Sequence, residues 1–393
     1  MNSILILEKT NRLADKIDSK RKEIINVLLD YESYETAMDE INRSLKCLRK
    51  IKEIKKYLIY KQINSISTFF PLNLPLYSLI LFAVIPALMS DKVFVRPPIL
   101  MREILKRICK LLEINQSFVG ITLIETEKHI FLEGYVSISD VVLFTGRYHN
   151  SIKAQKFCPN GLFVYNGAGV NPILITPTAN IKLAVRKTIE ARCFNSGQDC
   201  AGPDTILVHS KIINKFLPEL INSVIKIRIG DYYDRKVRIG KIIDSTNLDF
   251  ISRFLNKYNH NIVYGGNIDF KRSVVFPTII LTSLSEIQNY TEFFSPIFFI
   301  STYEKEQDLD LFFQKEEFLD YAMYVSIFGE SKYARKIKNS VIIKNQNIMD
   351  IEEGNRAYGG YGKKANFVSF NNKYFYRPIL IPKEVYEYIS IKK

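Results

Sequence analysis

Histidine and cysteine are both scarce in this sequence, and their placement argues against several kinds of site. The four histidines lie far apart, at positions 129, 149, 209 and 260, and no C-x-x-C pair occurs, so a zinc centre is not expected. The five cysteines are odd in number and irregularly spaced. We therefore expect reduced thiols, no bound metal and a cytoplasmic protein.

We also expect no signal sequence, because charged residues interrupt any apolar run near the start of the chain. One uncharged stretch, from Phe69 to Met89, holds 21 residues and is about long enough to cross a bilayer. However, Pro71, Pro75 and Pro86 interrupt it. The stretch therefore predicts a buried strand, loop and helix and no transmembrane segment.

The length of 393 residues predicts two or three domains, and 47% hydrophobic with 24% charged residues is typical of a globular protein. The net charge is +14, and Arg43 to Lys61 holds eight basic residues and one acid. Leucine and isoleucine recur in this segment at helical spacing, so it predicts an amphipathic helix whose basic face is solvated. Aromatic stacking motifs are absent beside it, so we expect no nucleic-acid partner. The positive field would also favour an anionic cofactor, a thioester or a membrane surface.

Apolar residues at three- and four-residue spacing predict helices over Ile4–Leu29 and Tyr34–Tyr60. Further along, short apolar runs alternate with helical patterns. The runs predicted as strands or strand ends are Lys92–Val95, Phe118–Ile124, Ile130–Leu132, Val141–Phe144, Leu162–Tyr165 and Pro172–Ile175, and the helical patterns are Leu100–Leu112 and Ile181–Phe194. Such alternation predicts an α/β fold with mostly parallel sheets.

Phe194 to Cys200 read F-N-S-G-Q-D-C, and this is the most informative string in the chain. An ionised thiol attacks carbonyl carbon and forms a covalent adduct. By itself Cys200 is equally a small buried hydrophobe, the usual fate of a free cysteine. The string resembles the catalytic-cysteine motif of the aldehyde dehydrogenase superfamily, with every fixed position filled in order. Four further strings follow the same family order and support the catalytic interpretation.

The segment Phe70 to Leu76 resembles the family's P-W-N-F-P string, with Leu72 where tryptophan is usual. The resemblance implies that the Asn73 side chain and the Cys200 backbone N–H stabilise the oxyanion of a tetrahedral adduct. The alternative is that Asn73 only turns the chain between two prolines.

The cofactor strings are altered but recognisable. Arg96 stands at the position of the family's ribose-binding lysine, and the usual glutamate is replaced by Ile99. Thr145, Gly146 and Arg147 resemble the F-T-G-S turn under the pyrophosphate, and Glu292 with Phe294 resembles the E-x-F-G-P string at the nicotinamide ribose. The resemblance implies NAD or NADP, and Arg96 without the glutamate favours NADP.

The general base is the main departure from the family pattern. The Asn171-Pro172 pair aligns this segment with the family's string that ends in N-P. In that alignment Asn166 stands where hydrolytic members have glutamate. An amide cannot accept a proton at neutral pH. Glu125 and Glu190 could replace it only through an unusual geometry. The chain thus resembles the acylating branch of the family, whose thioester passes to a thiol such as coenzyme A.

The resemblance implies an α/β aldehyde dehydrogenase-like fold with a Rossmann-type cofactor domain. We expect a shortened, N-terminally helical cofactor domain over residues 1–165, a catalytic domain over 166–365 and an oligomerisation flap over 366–393. The implied function is NAD(P)-dependent interconversion of an aldehyde and an acyl species through a thioester on Cys200. The implied partners are a small aldehyde or acyl thioester and further copies of the chain. The alternative is a non-catalytic binding or assembly protein with this fold.

Overall fold

A computed structural model describes residues 3–58, 63–286 and 290–391 of the chain. The strands are β1 (Ile63–Phe69), β2 (Ser90–Arg96), β3 (Ile121–Leu123), β4 (Val141–Thr145), β5 (Leu162–Asn166), β6 (Ile173–Ile175), β7 (Ile206–His209), β8 (Ile262–Tyr264), β9 (Ile268–Asp269), β10 (Val274–Val275), β11 (Thr278–Ser283), β12 (Ile297–Tyr303), β13 (Tyr324–Phe328), β14 (Val341–Lys344), β15 (Asn366–Phe370) and β16 (Lys373–Phe375).

The α-helices are α1 (Ser3–Ser19), α2 (Arg21–Leu28), α3 (Tyr34–Arg49), α4 (Lys55–Leu58), α5 (Pro75–Leu79), α6 (Ile85–Ala87), α7 (Arg102–Leu111), α8 (Ile114–Ser117), α9 (Lys128–Gly134), α10 (Tyr148–Gln155), α11 (Ile181–Cys193), α12 (Ser210–Val224), α13 (Thr246–Lys257), α14 (Asp310–Phe313), α15 (Glu316–Tyr321), α16 (Ile348–Ile351) and α17 (Ile381–Ile391). A π-helical segment, Ile80–Val84, joins α5 to α6.

Within the described residues, the first sheet has the strand order β16-β15-β5-β4-β1-β2-β3. Strands β1 to β5 are parallel, and β15 and β16 extend the sheet in antiparallel pairing. The order β3-β2-β1-β4-β5 is that of the Rossmann dinucleotide-binding half. Ligands of such sheets bind where the strand order reverses, here beyond the carboxyl ends of β1 and β4.

The second sheet has the order β14-β13-β6-β7-β12-β11-β8 and is parallel apart from β8. Its inner strands β13, β6, β7 and β12 are almost continuously buried, as is usual for a parallel sheet with both faces covered. The α/β class predicted from the sequence is confirmed. The loop before β7 carries Cys200, and the loop before β12 carries Glu292, so neighbouring strands of one sheet deliver both residues to one place.

The N-terminal residues form helices, as predicted, with boundaries that differ from the prediction. The first predicted helix is broken at Lys20 into α1 and α2, and the second ends at Arg49. Tyr60, its predicted end, lies outside the described residues. The strand predicted over Ile130–Leu132 is wrong, because these residues lie in α9, where Phe131 and Leu132 are buried. Three apolar residues are too few to separate a strand from one face of a helix.

The uncharged stretch forms the end of β1, a loop and the helix from α5 to α6, as predicted. Pro86 has no N–H, so the carbonyl of Phe82 loses its helical donor. The Thr68 hydroxyl donates to that carbonyl at 3.0 Å and satisfies it. No helix among the described residues is long and apolar enough to cross a membrane.

The C-terminal segment lies on the first sheet. β15 pairs with β5, and β16 forms the outer edge with exposed side chains. Helix α17 then packs against α4 and α6. The boundary expected near residue 166 coincides with the end of β5. The division into domains, and the role of residues 366–393 in oligomerisation, stay predictions.

Candidate active site

The Cys200 loop follows directly on α11 and has an unusual backbone. Asn195, Ser196 and Gly197 all have positive φ, at 47°, 57° and 80°. A Cβ atom on Gly197 would lie 2.4 Å from the carbonyl carbon of Ser295. Glycine is therefore needed both for the conformation and for the close approach. The cysteine loop and the loop that carries Glu292 are therefore in close backbone contact at Gly197 and Ser295.

A buried ion pair anchors the same loop. Arg192 donates from Nη1 to Asp204 and from Nη2 to the Gly197 carbonyl, both at 2.6 Å. Asp204 also accepts the Phe293 N–H at 3.0 Å and the Tyr290 hydroxyl at 2.8 Å. Burial raises the pKa of Asp204, and the Arg192 guanidinium opposes that rise. The pair joins the two loops, and sequence analysis missed it.

The side-chain amide of Gln198 makes two hydrogen bonds that shape the loop. Its Nε2 donates to the Asn195 carbonyl at 3.2 Å, and its Oε1 accepts the Ile243 N–H at 2.7 Å. These bonds close the turn and fasten it to the segment that precedes α13. The fixed glutamine of the motif therefore shapes the loop that presents Cys200.

Asn73 reaches the cysteine loop from the other sheet. It follows β1, and its Nδ2 donates to the Gln198 carbonyl at 3.1 Å. Its own carbonyl accepts the Ser78 hydroxyl at 3.1 Å. An amide nitrogen carries two hydrogens, so one donor remains after the bond to Gln198. Asn73 thus does more than turn the chain between two prolines, because its side chain lies beside the residues that lead into Cys200.

Cys200 is partly exposed in a cavity, and its Sγ lies 3.4 Å from the Tyr358 hydroxyl. Burial, followed by the Asp199 carboxylate, raises the pKa of the Cys200 thiol, whereas the hydrogen bond from Tyr358 lowers it. The other four cysteines are buried. The Tyr358 hydroxyl is thus a side-chain hydrogen-bond partner of the sulfur, and this role was not predicted from the sequence.

The cavity measures about 960 Å³ and connects the strand-order reversal of the first sheet with Cys200. Of the residues predicted for the site, those on its wall are Asn73, Thr145, Gly146, Arg147, Asn166, Cys200, Glu292 and Phe294. Motifs that lie far apart in the sequence therefore line the same cavity. Arg96 is not on this wall.

The family model described as "Aldehyde dehydrogenase family" matches residues 140–380. The chain belongs to the aldehyde dehydrogenase family. Glyceraldehyde-3-phosphate dehydrogenase from Methanocaldococcus jannaschii, complexed with NADP, superposes with a TM-score of 0.81 at 18% identity, over 94% of this chain and 89% of that one. Staphylococcus aureus AldH, in its substrate-bound state, gives 0.78 at 19% identity over 98% and 88%. These likenesses establish the fold.

Among relatives by sequence, lactaldehyde dehydrogenase of Methanococcus aeolicus is 25% identical over 58% of this chain and 50% of its own length. The 4,4'-diaponeurosporen-aldehyde dehydrogenase of Staphylococcus aureus is 24% identical over 90% of this chain and 83% of its own. The chain thus spans about half the length of the first curated relatives that it matches.

Within this aldehyde dehydrogenase family member, three of the residues predicted to bind the cofactor, Thr145, Gly146 and Arg147, lie at the strand-order reversal. The Thr145 hydroxyl donates to the Phe69 carbonyl at 2.6 Å and ties the ends of β4 and β1 together. Gly146 has a φ of 136°, and Arg147 precedes α10 without a side-chain cap. The first N–H groups of α10 therefore lack helical acceptors and suit an anion.

Glu292 and Phe294 approach from the second sheet. Burial, followed by the Asp204 carboxylate, raises the pKa of Glu292 to about 8, although Arg147 opposes the rise. Phe294 is partly buried and has a φ of 50°. Arg147 and Glu292 thus come from different sheets and influence each other across the cavity.

Arg96 lies at the end of β2, where its Nε donates to the Thr126 carbonyl at 3.3 Å. Arg102 donates to the same carbonyl at 3.4 Å. Burial, and then the charge of Arg102, lowers the pKa of Arg96. Two guanidinium groups therefore converge at one point along the sheet edge, and the ribose-binding role of Arg96 stays a prediction.

Asn166 ends β5 on the cavity wall, where its carbonyl accepts the Gly146 N–H at 3.4 Å. The two glutamates considered as replacements for the family's base lie elsewhere, because Glu125 pairs with Lys106 at 2.8 Å and Glu190 with Lys187 at 2.8 Å. Neither lines the cavity.

Glu352 is a carboxyl that sequence analysis missed. It lines the cavity, and its Oε2 accepts the Arg43 Nη1 at 2.6 Å. Burial raises its pKa to about 7, with Arg43 acting in the opposite direction. Helix α3 thereby supports the site, since the Thr36 hydroxyl on the same helix accepts the Asn195 N–H at 3.2 Å. Within the described part of the chain, no cluster of His, Cys, Asp and Glu could hold a metal ion.

Proposed function

We propose that this protein is an NAD(P)-dependent oxidoreductase that interconverts an aldehyde and an acyl species through a thioester on Cys200. The observation that carries the proposal is the hydrogen bond from Asn73 to the Gln198 carbonyl. It holds an amide donor beside the nucleophile loop, where a tetrahedral adduct develops negative charge. The family membership and the shared cavity support the same chemistry.

Each residue has a definable task. The Cys200 thiolate attacks the carbonyl carbon, and the Tyr358 hydroxyl donates to the sulfur and favours its ionised form. The second N–H of Asn73, together with the Cys200 backbone N–H, stabilises the oxyanion. Such a donor typically contributes about 3 kcal/mol to the transition state.

The residues at the strand-order reversal fit a dinucleotide. Gly146 allows close backbone approach, and the first turn of α10 with Arg147 offers N–H groups and positive charge to a pyrophosphate. Glu292 is placed to accept a ribose hydroxyl. When bound, the nicotinamide supplies the hydride acceptor. Arg96 and Arg102 converge where an added phosphate would relieve their repulsion, so we favour NADP over NAD.

We further propose that the thioester is passed to a thiol, such as coenzyme A or a carrier, or is formed in the reverse direction. Asn166 cannot act as the base that hydrolytic members use. Burial raises the pKa of Glu292 to about 8, so at neutral pH only a minor fraction of it is ionised and able to accept a proton. Water is therefore the less favoured acceptor.

We also propose that the protein is a homo-oligomer in the cytoplasm. β16 is an edge strand, and Tyr374, Phe375 and Tyr376 are exposed along and beyond it. An exposed apolar edge favours pairing with another chain. The five free thiols suit a reducing compartment. Light scattering of the purified protein measures the oligomeric state.

The decisive experiment is an NAD(P)H assay with aldehydes, acyl-CoAs and acyl phosphates. Cys200→Ala should abolish turnover, whereas Cys193→Ala, which removes a buried thiol seven positions upstream, should retain most of it. Full activity of Cys200→Ala contradicts the proposal. If the wild-type protein binds neither NAD nor NADP, the non-catalytic alternative is correct.

A further inference from the structure

The cavity continues beyond Cys200 between two apolar walls, and this extension is not needed for the chemistry at the sulfur. The first wall is one stripe of the helix that runs from α5 to α6. Its residues recur every three or four positions and so lie on one face: Leu74, Tyr77, Ser78, Leu81, Phe82 and Ile85. Leu74 precedes the helix, and from Tyr77 to Ile85 the stripe advances about 12 Å, the length of an extended alkyl chain of about ten carbons.

The second wall is residues 379–382, the start of the C-terminal helix region. Ile379 pairs with Tyr358 through two backbone hydrogen bonds, of 2.9 and 2.7 Å. Because the Tyr358 hydroxyl contacts the Cys200 sulfur, this wall begins beside the nucleophile. The first wall begins there too, since Leu74 follows Asn73. The two walls meet at their far ends, where α17 packs against α6.

Two features favour a neutral, apolar occupant. Leu81, Phe82 and Leu380 are only partly buried, so apolar surface remains open to the cavity. The carboxylates on the cavity wall nearby are already paired. Glu352 binds Arg43 at 2.6 Å, and Glu353 binds Lys46 at 2.5 Å. A charged substrate tail would have to compete with these ion pairs.

We propose that the substrate is an aldehyde or acyl species with a long, unbranched, apolar chain, which lies between the α5–α6 stripe and residues 379–382. This inference rests on the proposed function for the reacting end of the molecule. The chain itself is bound by burial of apolar surface, which grows with each methylene group.

The test is a series of straight-chain aldehydes from propanal to decanal, assayed with NAD(P). The specificity constant kcat/KM should rise about fourfold for each added CH2 group until the extension is filled. Leu81→Gln should lower kcat/KM for decanal about tenfold or more and leave propanal nearly unchanged. Leu311→Gln is the matched control, because Leu311 is 50% exposed and is not on the cavity wall.

Binding of cis-parinaric acid, followed by its fluorescence, supplies a readout that needs no turnover. The chain has no tryptophan, so background emission is low. Aldehyde turnover with a flat chain-length series, and no effect of Leu81→Gln on parinaric acid, overturns the inference and leaves the proposed function standing. Parinaric acid binding that Leu81→Gln weakens and Leu311→Gln does not, without oxidation of any aldehyde, supports the apolar site and overturns the proposed function.

Discussion

The hydroxyl of Tyr358 offers a direct test of how the protein activates Cys200. Burial and Asp199 both raise the pKa of the thiol, and the hydrogen bond from Tyr358 is the contribution that lowers it. Tyr358→Phe removes that donor and keeps the ring, whose centroid lies 5.7 Å from that of Tyr324. The thiolate should therefore become less favourable, and the pKa of Cys200 should rise further.

The size of the effect follows from the contact. A hydrogen bond to a charged group contributes about 1.5–3 kcal/mol, and the 3.4 Å separation from a sulfur atom that is partly exposed places this one near the lower limit. About 1.4 kcal/mol corresponds to a tenfold change in an equilibrium. At a given neutral pH, the thiolate fraction should fall about tenfold.

The assay is the rate of alkylation by iodoacetamide, measured across the neutral and alkaline range. Cys200 should dominate the reaction, because it is partly exposed in the cavity whereas the other four cysteines are buried. Cys200→Ala supplies the background rate. Tyr361→Phe is the matched control, since it removes a hydroxyl from a residue that is 46% exposed and lies three positions away.

The expected outcome is a pH profile displaced to higher pH in Tyr358→Phe and unchanged in Tyr361→Phe. Superimposable profiles for Tyr358→Phe and the wild-type protein would refute the reasoning, because they would mean that the hydroxyl does not bind the ionised sulfur. A parallel fall in kcat, with KM for the aldehyde unchanged, would show that the thiolate enters the rate-limiting step.

Three other changes test separate parts of the structure. Arg192→Met should lower the free energy of unfolding in urea by about 3–5 kcal/mol, because it leaves Asp204 buried without its cation; a change below about 1 kcal/mol contradicts this. Asn166→Glu should raise the yield of free acid relative to acyl thioester, measured by chromatography, and an unchanged product ratio argues against its placement at the base position. Glu32 and Glu40 are buried together, and burial raises the pKa of both carboxyls, that of Glu40 to about 7. Over part of the pH range the folded state therefore retains protons that the unfolded chain has lost. Stability should therefore decrease as the pH rises from about 4.5 through 7, and Glu32→Gln should flatten that dependence; an equally steep decrease in the variant would be inconsistent with it.

Much of the fold could be predicted from local patterns. Helix α11 was predicted to within one residue of its end, because its apolar residues recur at helical spacing and the motif after it begins abruptly. The prediction over Ile130–Leu132 was wrong because three apolar residues carry no period. The strand order was not predictable from the pattern, since it depends on pairings between segments far apart in the chain.

Apart from Arg96, the site residues predicted from their strings meet in one cavity, but the groups that adjust their chemistry were not predicted from the sequence. Tyr358 and Cys200 lie 158 positions apart, and no spacing rule connects a tyrosine hydroxyl with a distant thiol. The Arg192–Asp204 pair flanks the motif on both sides, and Arg192 is one of several charged residues of α11, so nothing in the helix pattern marked it as buried. Such partners become visible only when the backbone fixes their separation.

The fate of the proposed thioester depends on these environments as much as on Asn166. The loss of the family's glutamate alone leaves open whether another carboxyl activates water. Glu292 is mostly protonated at neutral pH, and Glu352 is bound to Arg43 at 2.6 Å, which ties up an oxygen that a water would need. Both alternatives are thus weakened by their surroundings. A thiol ionises more readily than water, so a thiol acceptor needs less help from a protein base. This difference favours acyl transfer over hydrolysis.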